Sequence, residues 1–225
     1  MSYFSRLLLN PQRREARKII SNPQAMHAAV LMAFPPTESP QQSRVLWRLD
    51  QQEHGYALYV QSPEKPDLRH LHEVAGWESS PAETAHLGKL LQKLENGQRW
   101  AFRFTGNPVK SLPIENGKRG RIVPHVTVDQ QLGWLVHKAS QWGFSIVQDP
   151  ESEIPLANVS ERHDQRFSRK NPHDEGRRGT VTLRQAQFDG VLEITDAQLF
   201  TDSLLQGMGK SKAYGCGLMT LRSVS

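Results

Sequence analysis

The clearest strand signal in the chain is the stretch QRWAFRFT at residues 98–105. Trp100, Phe102 and Phe104 recur at every second position, and the positions between them carry arginine or alanine. Because successive side chains of a strand point to opposite faces, this alternation predicts a β-strand with one aromatic and one largely basic face. The Gly-Asn-Pro sequence at residues 106–108 ends the predicted strand.

The chain before this strand predicts an alternation of strands and helices. An apolar stripe from Met26 to Phe34 indicates a core-facing helix, which Asn22 begins as N-cap with Pro23 in the first turn. Residues 84–94 fit neither period and are left open as helix or strand. The other predicted elements are strands at residues 2–9, 45–49 and 56–61 and helices at 11–20 and 67–74. Their order is β-α-β-β-α-β, followed by the strand at 98–105.

The chain after this strand has a similar mixture of elements. The polar segment 157–179 is left open as a basic loop or a hairpin, and Asp189-Gly190 is expected to break the strand region that follows it. Thr195 and Gln198 have the spacing of a capping box. The predicted elements are helices at residues 128–142 and 196–205 and strands at 144–147, 180–195 and 218–224. The element order predicts two α+β units in tandem, with a boundary near residues 95–120.

Composition excludes several classes of protein. Of the 225 residues, 37% are hydrophobic and 23% charged, and apolar residues recur throughout, which argues against intrinsic disorder. A run of about 18 apolar residues and a secretory signal are both absent from the sequence, so we expect no membrane partner. The single cysteine, Cys216, excludes a disulfide framework and a cysteine-based zinc site. We therefore expect a cytoplasmic protein.

The net charge of +5 is concentrated in parts of the chain. Residues 99–122 and the segment after Gly207 are rich in lysine and arginine, whereas residues 60–95 carry more acidic side chains. A local positive surface is what a polyanion such as a nucleic acid binds. Solvated lysine and arginine faces without a ligand are the alternative.

His27 is the most informative titratable residue. It lies at the border between the apolar stripe of its predicted helix and the solvent-facing side. A half-buried histidine there can still reach a ligand, and imidazole titrates near neutral pH, so it is a competent general acid or base. The alternative is a boundary histidine that only packs. His70 and His72 face apart on a predicted helix and form no metal pair, and we expect neither a metal nor a cofactor.

A glycine-rich segment, GMGKSKAYGCG at residues 207–217, precedes the last predicted strand. Gly209-Lys210-Ser211 is similar to the end of a phosphate-binding P-loop, but position 204 is leucine where that motif needs glycine, and the segment follows a helix. An ATPase site is therefore excluded. Backbone N–H groups with Lys210 and Lys212 could cradle a phosphodiester backbone. A helix C-cap followed by a tight turn is the alternative.

Two basic stretches supply further candidate RNA ligands. Arginine binds phosphate with a planar fork of donors, and a basic hairpin reads the shape and phosphates of a double-stranded RNA more than its sequence. A solvated loop with acidic residues mixed in is the alternative for residues 157–179. The candidate RNA-binding residues are Arg119, Arg121, Arg166, Arg169, Lys170, Arg177, Arg178, Lys210 and Lys212.

Three stretches share their order and spacing with a known family. They are MH at residues 26–27 before AFP at 33–35, FRF at 102–104 before NPVK at 107–110, and FDGVL at 188–192 before the glycine-rich segment. In this order they resemble the CasE family, the CRISPR pre-crRNA endoribonucleases of type I-E Cascade. The resemblance extends over nearly the whole chain, and the glycine-rich segment is its most specific part.

The resemblance implies an α+β fold of two tandem ferredoxin-like (RRM-like) domains, residues 1–95 with the candidate catalytic histidine and residues 96–225 with the basic hairpin and the glycine-rich loop. It also implies metal-independent cleavage of CRISPR repeat RNA at the base of its stem-loop. The enzyme then stays on the crRNA hairpin, together with other Cascade subunits. His27 occupies the place of the family's catalytic histidine. Some members carry a tyrosine three residues earlier, where this chain has Gln24.

The residues suit this chemistry. Attack of a 2′-hydroxyl on the adjacent phosphate needs proton transfer and charge stabilisation, without an external nucleophile. His27 is the candidate for proton transfer, and Lys110, Lys210 or Lys212 for stabilising the charge of the transition state, with Lys110 assigned to the catalytic group. The rival function is a non-catalytic RNA-hairpin-binding subunit with the same fold.

Overall fold

The structure is a computed structural model that describes residues 2–35, 45–112, 121–170 and 178–224, with no account of the side chains at 166–170 and 178–181. The strands are β1 Tyr3–Leu9, β2 Leu46–Gln52, β3 Gly55–Ser62, β4 Glu83–His86, β5 Arg99–Gly106, β6 Val109–Leu112, β7 Arg121–Pro124, β8 Phe144–Ile146, β9 Ala157–Lys170, β10 Arg178–Ile194 and β11 Met219–Ser223. The helices are α1 Arg14–Ile20, α2 Pro23–Leu31, α3 Arg69–Ala75, α4 Gly88–Leu91, α5 Val128–Ala139 and α6 Ala197–Gln206, with 3₁₀ turns at Ser140–Trp142 and Lys212–Tyr214.

The first sheet has the order β2-β3-β1-β4, and all its pairings are antiparallel. In β1 the side chains alternate, so that Leu7 and Leu9 are fully buried while Arg6 between the buried positions is exposed. Helix α2 contributes Met26 and Val30 to the same core. As predicted, Asn22 is the N-cap of this helix, because its side chain accepts hydrogen bonds from the backbone N–H groups of the first turn.

The second sheet has the order β11-β5-β10-β8, with β9 paired to β10 beyond the end of β8. The strand at residues 98–105 is confirmed as β5, and its Phe102 and Phe104 are buried. Phe188 of β10 stacks on Phe104 with 6.1 Å between ring centroids. Helices α5 and α6 supply Leu135 and Phe200 to this core. A small hairpin of β6 and β7 leaves the sheet after β5.

The two sheets have the same topology. When β9 is left out and the other strands are numbered in chain order within each sheet, both sheets read 4-1-3-2, with helices between the first and second strands and between the third and fourth. This βαββαβ arrangement confirms the predicted α+β fold with tandem ferredoxin-like halves. We propose residues 1–95 and 96–225 as the two domains. Near that boundary Leu91 and Leu94 pack against the second core, so α4 joins the halves.

Two sequence predictions are wrong in detail. Asp189-Gly190 does not break the strand, because β10 runs through both residues. A Cβ on Gly190 would lie 2.5 Å from the Leu156 carbonyl oxygen, so glycine here allows a close approach of the preceding chain. The capping box of Thr195 and Gln198 is also wrong. Asp196 is the N-cap of α6, and its carboxylate accepts from the Leu199 N–H at 2.9 Å.

Two open alternatives are decided by the structure. Residues 84–94 contain both elements, since β4 ends at His86 and α4 begins at Gly88. Within the described residues, the basic segment 157–179 belongs to the β9–β10 pair, in which Arg178 pairs with Lys170 and Thr182 with Arg166.

A buried ionic cluster joins the two sheets. Arg48 of β2 is 2% exposed and donates to both carboxylate oxygens of Asp50, at 2.7 and 2.9 Å. The same guanidinium donates to the Arg103 carbonyl oxygen of β5 at 2.8 Å and to the Thr220 hydroxyl of β11 at 2.9 Å. Arg103 in turn forms a bidentate pair with Asp189 of β10. The buried charge of Arg48 is therefore satisfied only where the two sheets meet.

Candidate active site

His27 lies half-buried on α2, where the helix faces the second half of the chain. The indole N–H of Trp47 donates to its Nδ1 at 3.3 Å, and Trp47 itself is 4% exposed on β2. Burial lowers the pKa of His27 below its ordinary value of 6.5. The ring is therefore predominantly neutral at neutral pH.

The Trp47 contact determines which nitrogen of His27 carries the proton. Because Nδ1 accepts a hydrogen bond, the neutral ring carries its proton on Nε2. A histidine that takes a proton at Nε2, or donates one from the imidazolium form, has a proton on Nδ1. Either role therefore requires the Trp47 indole N–H to turn away from Nδ1.

The glycine-rich segment lies directly beside this pair. Its 3₁₀ turn, Lys212–Tyr214, packs against α2 and β2. Gly215 has a φ of +82°, and a Cβ there would lie 2.8 Å from the Trp47 ring. The Gly217 N–H donates to the Thr105 carbonyl oxygen at the end of β5, at 2.8 Å. The segment is thus more than a helix cap, because its glycines allow the close contact with the ring that holds His27.

The three candidate lysines have different surroundings. Lys212 donates from Nζ to the Gln206 carbonyl oxygen at the end of α6, at 3.0 Å. Lys210 is exposed on the same segment. Lys110 is exposed on β6. The burial of His125 and, to a smaller extent, the positive charge of Lys110 lower the pKa of His125. The catalytic role of Lys110 and the RNA contacts of Lys210 and Lys212 stay predictions.

The NPVK stretch is connected to the glycine-rich segment. Asn107 donates from its side-chain amide to the Ser211 hydroxyl at 2.8 Å. Ser211 has a positive φ of 65°, which only a minority of non-glycine residues adopt. The glycine-rich segment therefore contacts both the helix that carries His27 and the NPVK stretch, so the three stretches singled out in the sequence come together in the fold.

The other candidate RNA-binding residues lie on two hairpins. Arg121 is exposed on β7, and in the register of the β6–β7 hairpin it pairs with Leu112, two residues beyond Lys110 on the same face. Arg166, Arg169, Lys170 and Arg178 lie on the β9–β10 pair, whereas Arg119 and Arg177 lie outside the described residues. Arg162, in the same basic segment 157–179, donates to the Val126 carbonyl oxygen from β9 at 3.5 Å and so lies near the β6–β7 hairpin.

Trp47 and Tyr214 are site residues that sequence reasoning missed. Nothing in the spacing around Trp47 distinguishes it from an ordinary core residue of a strand, and its importance comes from a partner 20 residues away. Tyr214 lies within the glycine-rich segment, but only the fold places it against α2.

Metal and membrane features are not found in the described part of the chain. Over residues 2–35, 45–112, 121–170 and 178–224, no group of three histidine, cysteine or carboxylate side chains is arranged to hold a metal ion. Among the same residues, no helix is long and apolar enough to cross a membrane.

Comparison with known families decides the relationship of this chain. Residues 2–223 match the family model described as CRISPR associated protein. The chain belongs to this family. Its resemblance to the CasE family is confirmed by the relatives it matches.

The relatives of this CRISPR-associated protein include two curated sequences. It is 28% identical over 221 residues to the CRISPR-associated endoribonuclease Cse3 of Thermus thermophilus, a match that covers 97% of this chain and 99% of the relative. It is 32% identical over 137 residues to the Cascade subunit CasE of Escherichia coli, covering 57% of this chain and 60% of that one. Thermus thermophilus Cse3, solved with an RNA representing a pre-cleavage complex, superposes with a TM-score of 0.78 at 25% identity, over 98% of both chains.

Proposed function

We propose that this protein is a metal-independent endoribonuclease that cleaves CRISPR repeat RNA at the base of its stem-loop. It then retains the crRNA hairpin as a Cascade subunit, and it acts in the cytoplasm. The position of His27 carries the proposal, because a half-buried imidazole lies where α2, β2 and the glycine-rich segment meet. The names of the two curated relatives, an endoribonuclease and a Cascade subunit, support the activity and the partners.

His27 moves the proton in the proposed reaction. The 2′-hydroxyl oxygen attacks the adjacent phosphorus, the bond to the 5′-oxygen of the next nucleotide breaks, and the products are a 2′,3′-cyclic phosphate and a 5′-hydroxyl. His27 accepts the proton of the attacking hydroxyl or supplies one to the leaving oxygen. Either step takes place at Nε2 after the Trp47 N–H has left Nδ1.

Cations stabilise the charge that develops on the phosphate oxygens. Lys110 is the proposed catalytic cation, and Lys210 and Lys212 on the glycine-rich segment are the proposed phosphate ligands beside His27. The stem of the hairpin lies along the other proposed RNA ligands, namely Arg119, Arg121, Arg166, Arg169, Lys170, Arg177 and Arg178. Since the product hairpin keeps most of these phosphate contacts, we expect slow release and close to a single turnover per protein.

Cleavage of an end-labelled repeat hairpin in the presence of EDTA tests the proposal. We expect the wild-type protein to produce a fragment with a 2′,3′-cyclic phosphate end. The His27→Ala variant should lose cleavage by about 10²-fold or more and keep its affinity for the RNA. His137→Ala is the matched control, since His137 is exposed on α5, away from α2.

A non-catalytic RNA-hairpin-binding subunit is the rival function. Hairpin binding by the wild-type protein without cleavage in EDTA would establish it instead. Equal cleavage by wild type and His27→Ala would disprove the role of His27. If His27→Ala lost both RNA binding and cleavage, the residue would have a structural role.

A further inference from the structure

A cavity of about 340 Å³ lies between the two sheets, and we call it the inter-sheet pocket. Met26, Trp47 and Tyr56 line it from the first half of the chain, and Gln165 and Gln185 from the second. Its volume is in the range of cavities that take small planar ligands. The catalytic steps above use only the edge of Trp47 that faces His27, so the pocket itself has no role in them.

The wall from the first half is mostly apolar and partly aromatic, with Ser21 and Gln51 as its polar members. Trp47 and Met26 are almost fully buried, and Tyr56 is half-buried beside them. Aromatic and thioether side chains provide flat, polarisable surface of the kind on which unstacked nucleobases pack.

Apart from tyrosines, the ionisable residues that line the pocket are Glu161 and His163, which contact each other at 3.2 Å. Among the described lining residues there is no lysine or arginine, so the pocket suits an uncharged ring better than a phosphate.

The wall from the second half presents side-chain amides at alternate positions. Gln185 and Gln187 of β10 are only 8% and 7% exposed. Both amide nitrogens are already engaged, since Gln185 donates to the Tyr214 carbonyl oxygen at 2.6 Å and Gln187 to the Ser160 hydroxyl at 3.1 Å. These contacts hold the amide wall in a fixed orientation.

Gln165 differs from the other two glutamines. Its Oε1 is buried and has no hydrogen-bond partner among the residues that the structure describes. A buried acceptor without a donor is unfavourable, so the pocket favours a ligand that brings an N–H group to this oxygen. The exocyclic amino groups of adenine, cytosine and guanine are donors of this kind.

We propose that the inter-sheet pocket binds one unpaired nucleobase of the substrate, next to the cleaved phosphate, with its exocyclic amino group donating to Gln165 Oε1. The inference rests on the proposed function and adds a specificity-determining site to it. The base lies next to the reacting phosphate because Trp47 lines the pocket and also holds His27, and because Met26 adjoins His27 in the chain. A base outside the stem enters without the cost of unpairing.

The test combines base removal in the RNA with a change of Gln165. Each unpaired nucleotide that flanks the cleavage position of the repeat hairpin is replaced in turn by an abasic residue, and single-turnover cleavage is measured with wild type and Gln165→Met. We expect one abasic position to slow wild-type cleavage by about 10-fold, as the loss of a base contact of this kind does. Gln165→Met should slow cleavage of the intact RNA similarly, with little further loss on the abasic RNA.

The amino group is tested separately at the sensitive position. The analogue that lacks it, for example purine riboside in place of adenosine, should slow wild-type cleavage and leave Gln165→Met unaffected. Gln52→Met is the matched control, because Gln52 is exposed on β2 and does not line the pocket. Unfolding of Gln165→Met in denaturant confirms that the variant is folded.

Three results would overturn the proposal. They are insensitivity to every flanking base, an effect of Gln165→Met that is the same on intact and abasic RNA, and a deamino analogue that is cleaved like the natural base. The proposed function fails in a different way, since then the wild-type protein does not cleave the intact hairpin at all. Cleavage without coupling between Gln165 and a base rejects the pocket alone.

Discussion

The first sheet runs β2-β3-β1-β4 and the second β11-β5-β10-β8, so with β9 left out each places its first and third strands at the centre. In the first sheet, β2 pairs with β3 along its full length, from Leu46 opposite Gln61 to Gln52 opposite Gly55. In the second, β8 pairs with only three residues of β10, and β9 takes the rest of that edge. The short β8 thus leaves room for the long hairpin that carries many of the basic residues.

The two halves share one topology but contribute different parts of the candidate site. The first half supplies the titratable residue, His27, on a helix with few charges around it. The second half supplies basic hairpins and the glycine-rich segment. Neither half contains a complete candidate site, so the contact between the sheets decides whether the chemistry is possible. The following variants test that contact.

The largest effect is expected at the buried ionic cluster. Asp50→Ala leaves the guanidinium of Arg48 buried without its carboxylate, which should lower the free energy of unfolding by about 3–5 kcal/mol. Glu193→Ala is the matched control, because it breaks an exposed Arg–carboxylate pair to Arg99 and should cost about 1 kcal/mol or less. Denaturant unfolding measures both variants. Similar small losses would mean that the Arg48–Asp50 pair is not what holds the sheets together.

A smaller effect is expected from two glycines with the same backbone conformation. Gly215 and Gly97 both have a φ of +82°. A Cβ on Gly215 would meet the Trp47 ring, whereas a Cβ on Gly97 would have no atom of the described residues within 4 Å. Gly97→Ala should cost about 1–2 kcal/mol of stability, from backbone strain alone, without changing cleavage. Gly215→Ala should cost about 1 kcal/mol more and slow cleavage by about 10-fold, because it displaces the ring that holds His27.

Stability and single-turnover cleavage of the two alanine variants are measured side by side. Equal cleavage by both would show that the contact between the glycine-rich segment and Trp47 does not affect the reaction.

The pH dependence of cleavage tests the Trp47 contact. Trp47→Phe removes the N–H that occupies Nδ1, so protonation of His27 becomes easier and its pKa rises. The limb of the pH–rate profile that reports His27 should move to higher pH, whether the residue acts as acid or base. Trp100→Phe is the control, because Trp100 donates to Gln98 in a similar way but on β5. An unchanged limb would contradict the tautomer assignment.

The smallest effect is expected on stability as a function of pH. Burial holds the pKa of His27 below 6.5 in the folded state, so below that pH the unfolded chain binds a proton that the folded chain does not. The wild-type protein should therefore lose stability relative to His27→Gln as the pH falls below about 6.5, down to the folded-state pKa. Denaturant unfolding at pH 8 and pH 5 measures the difference. A relative gain for wild type at pH 5 would show that folding raises the pKa.

Much of the fold follows from local patterns in the sequence. The alternation at residues 98–105 and the N-cap at Asn22 are confirmed because each depends on residues close in the chain. The prediction at Asp189-Gly190 is wrong because the glycine is needed for a contact with a distant part of the chain. The prediction at Thr195 is wrong because the helix begins one residue later, with Asp196 as its N-cap. Gly190, for example, is needed for the approach of Leu156, which no local pattern reveals.

The candidate site divides in the same way. The sequence alone determined that His27 lies at the edge of an apolar helix face and that a segment with four glycines precedes the last strand, since both are short-range properties. Only the tertiary structure decided that Trp47 holds His27, that Gly215 packs on Trp47, and that the amides of β9 and β10 face the same pocket. These contacts join residues that are 20 to more than 100 positions apart in the chain. The packing of the two sheets determines which of these residues meet.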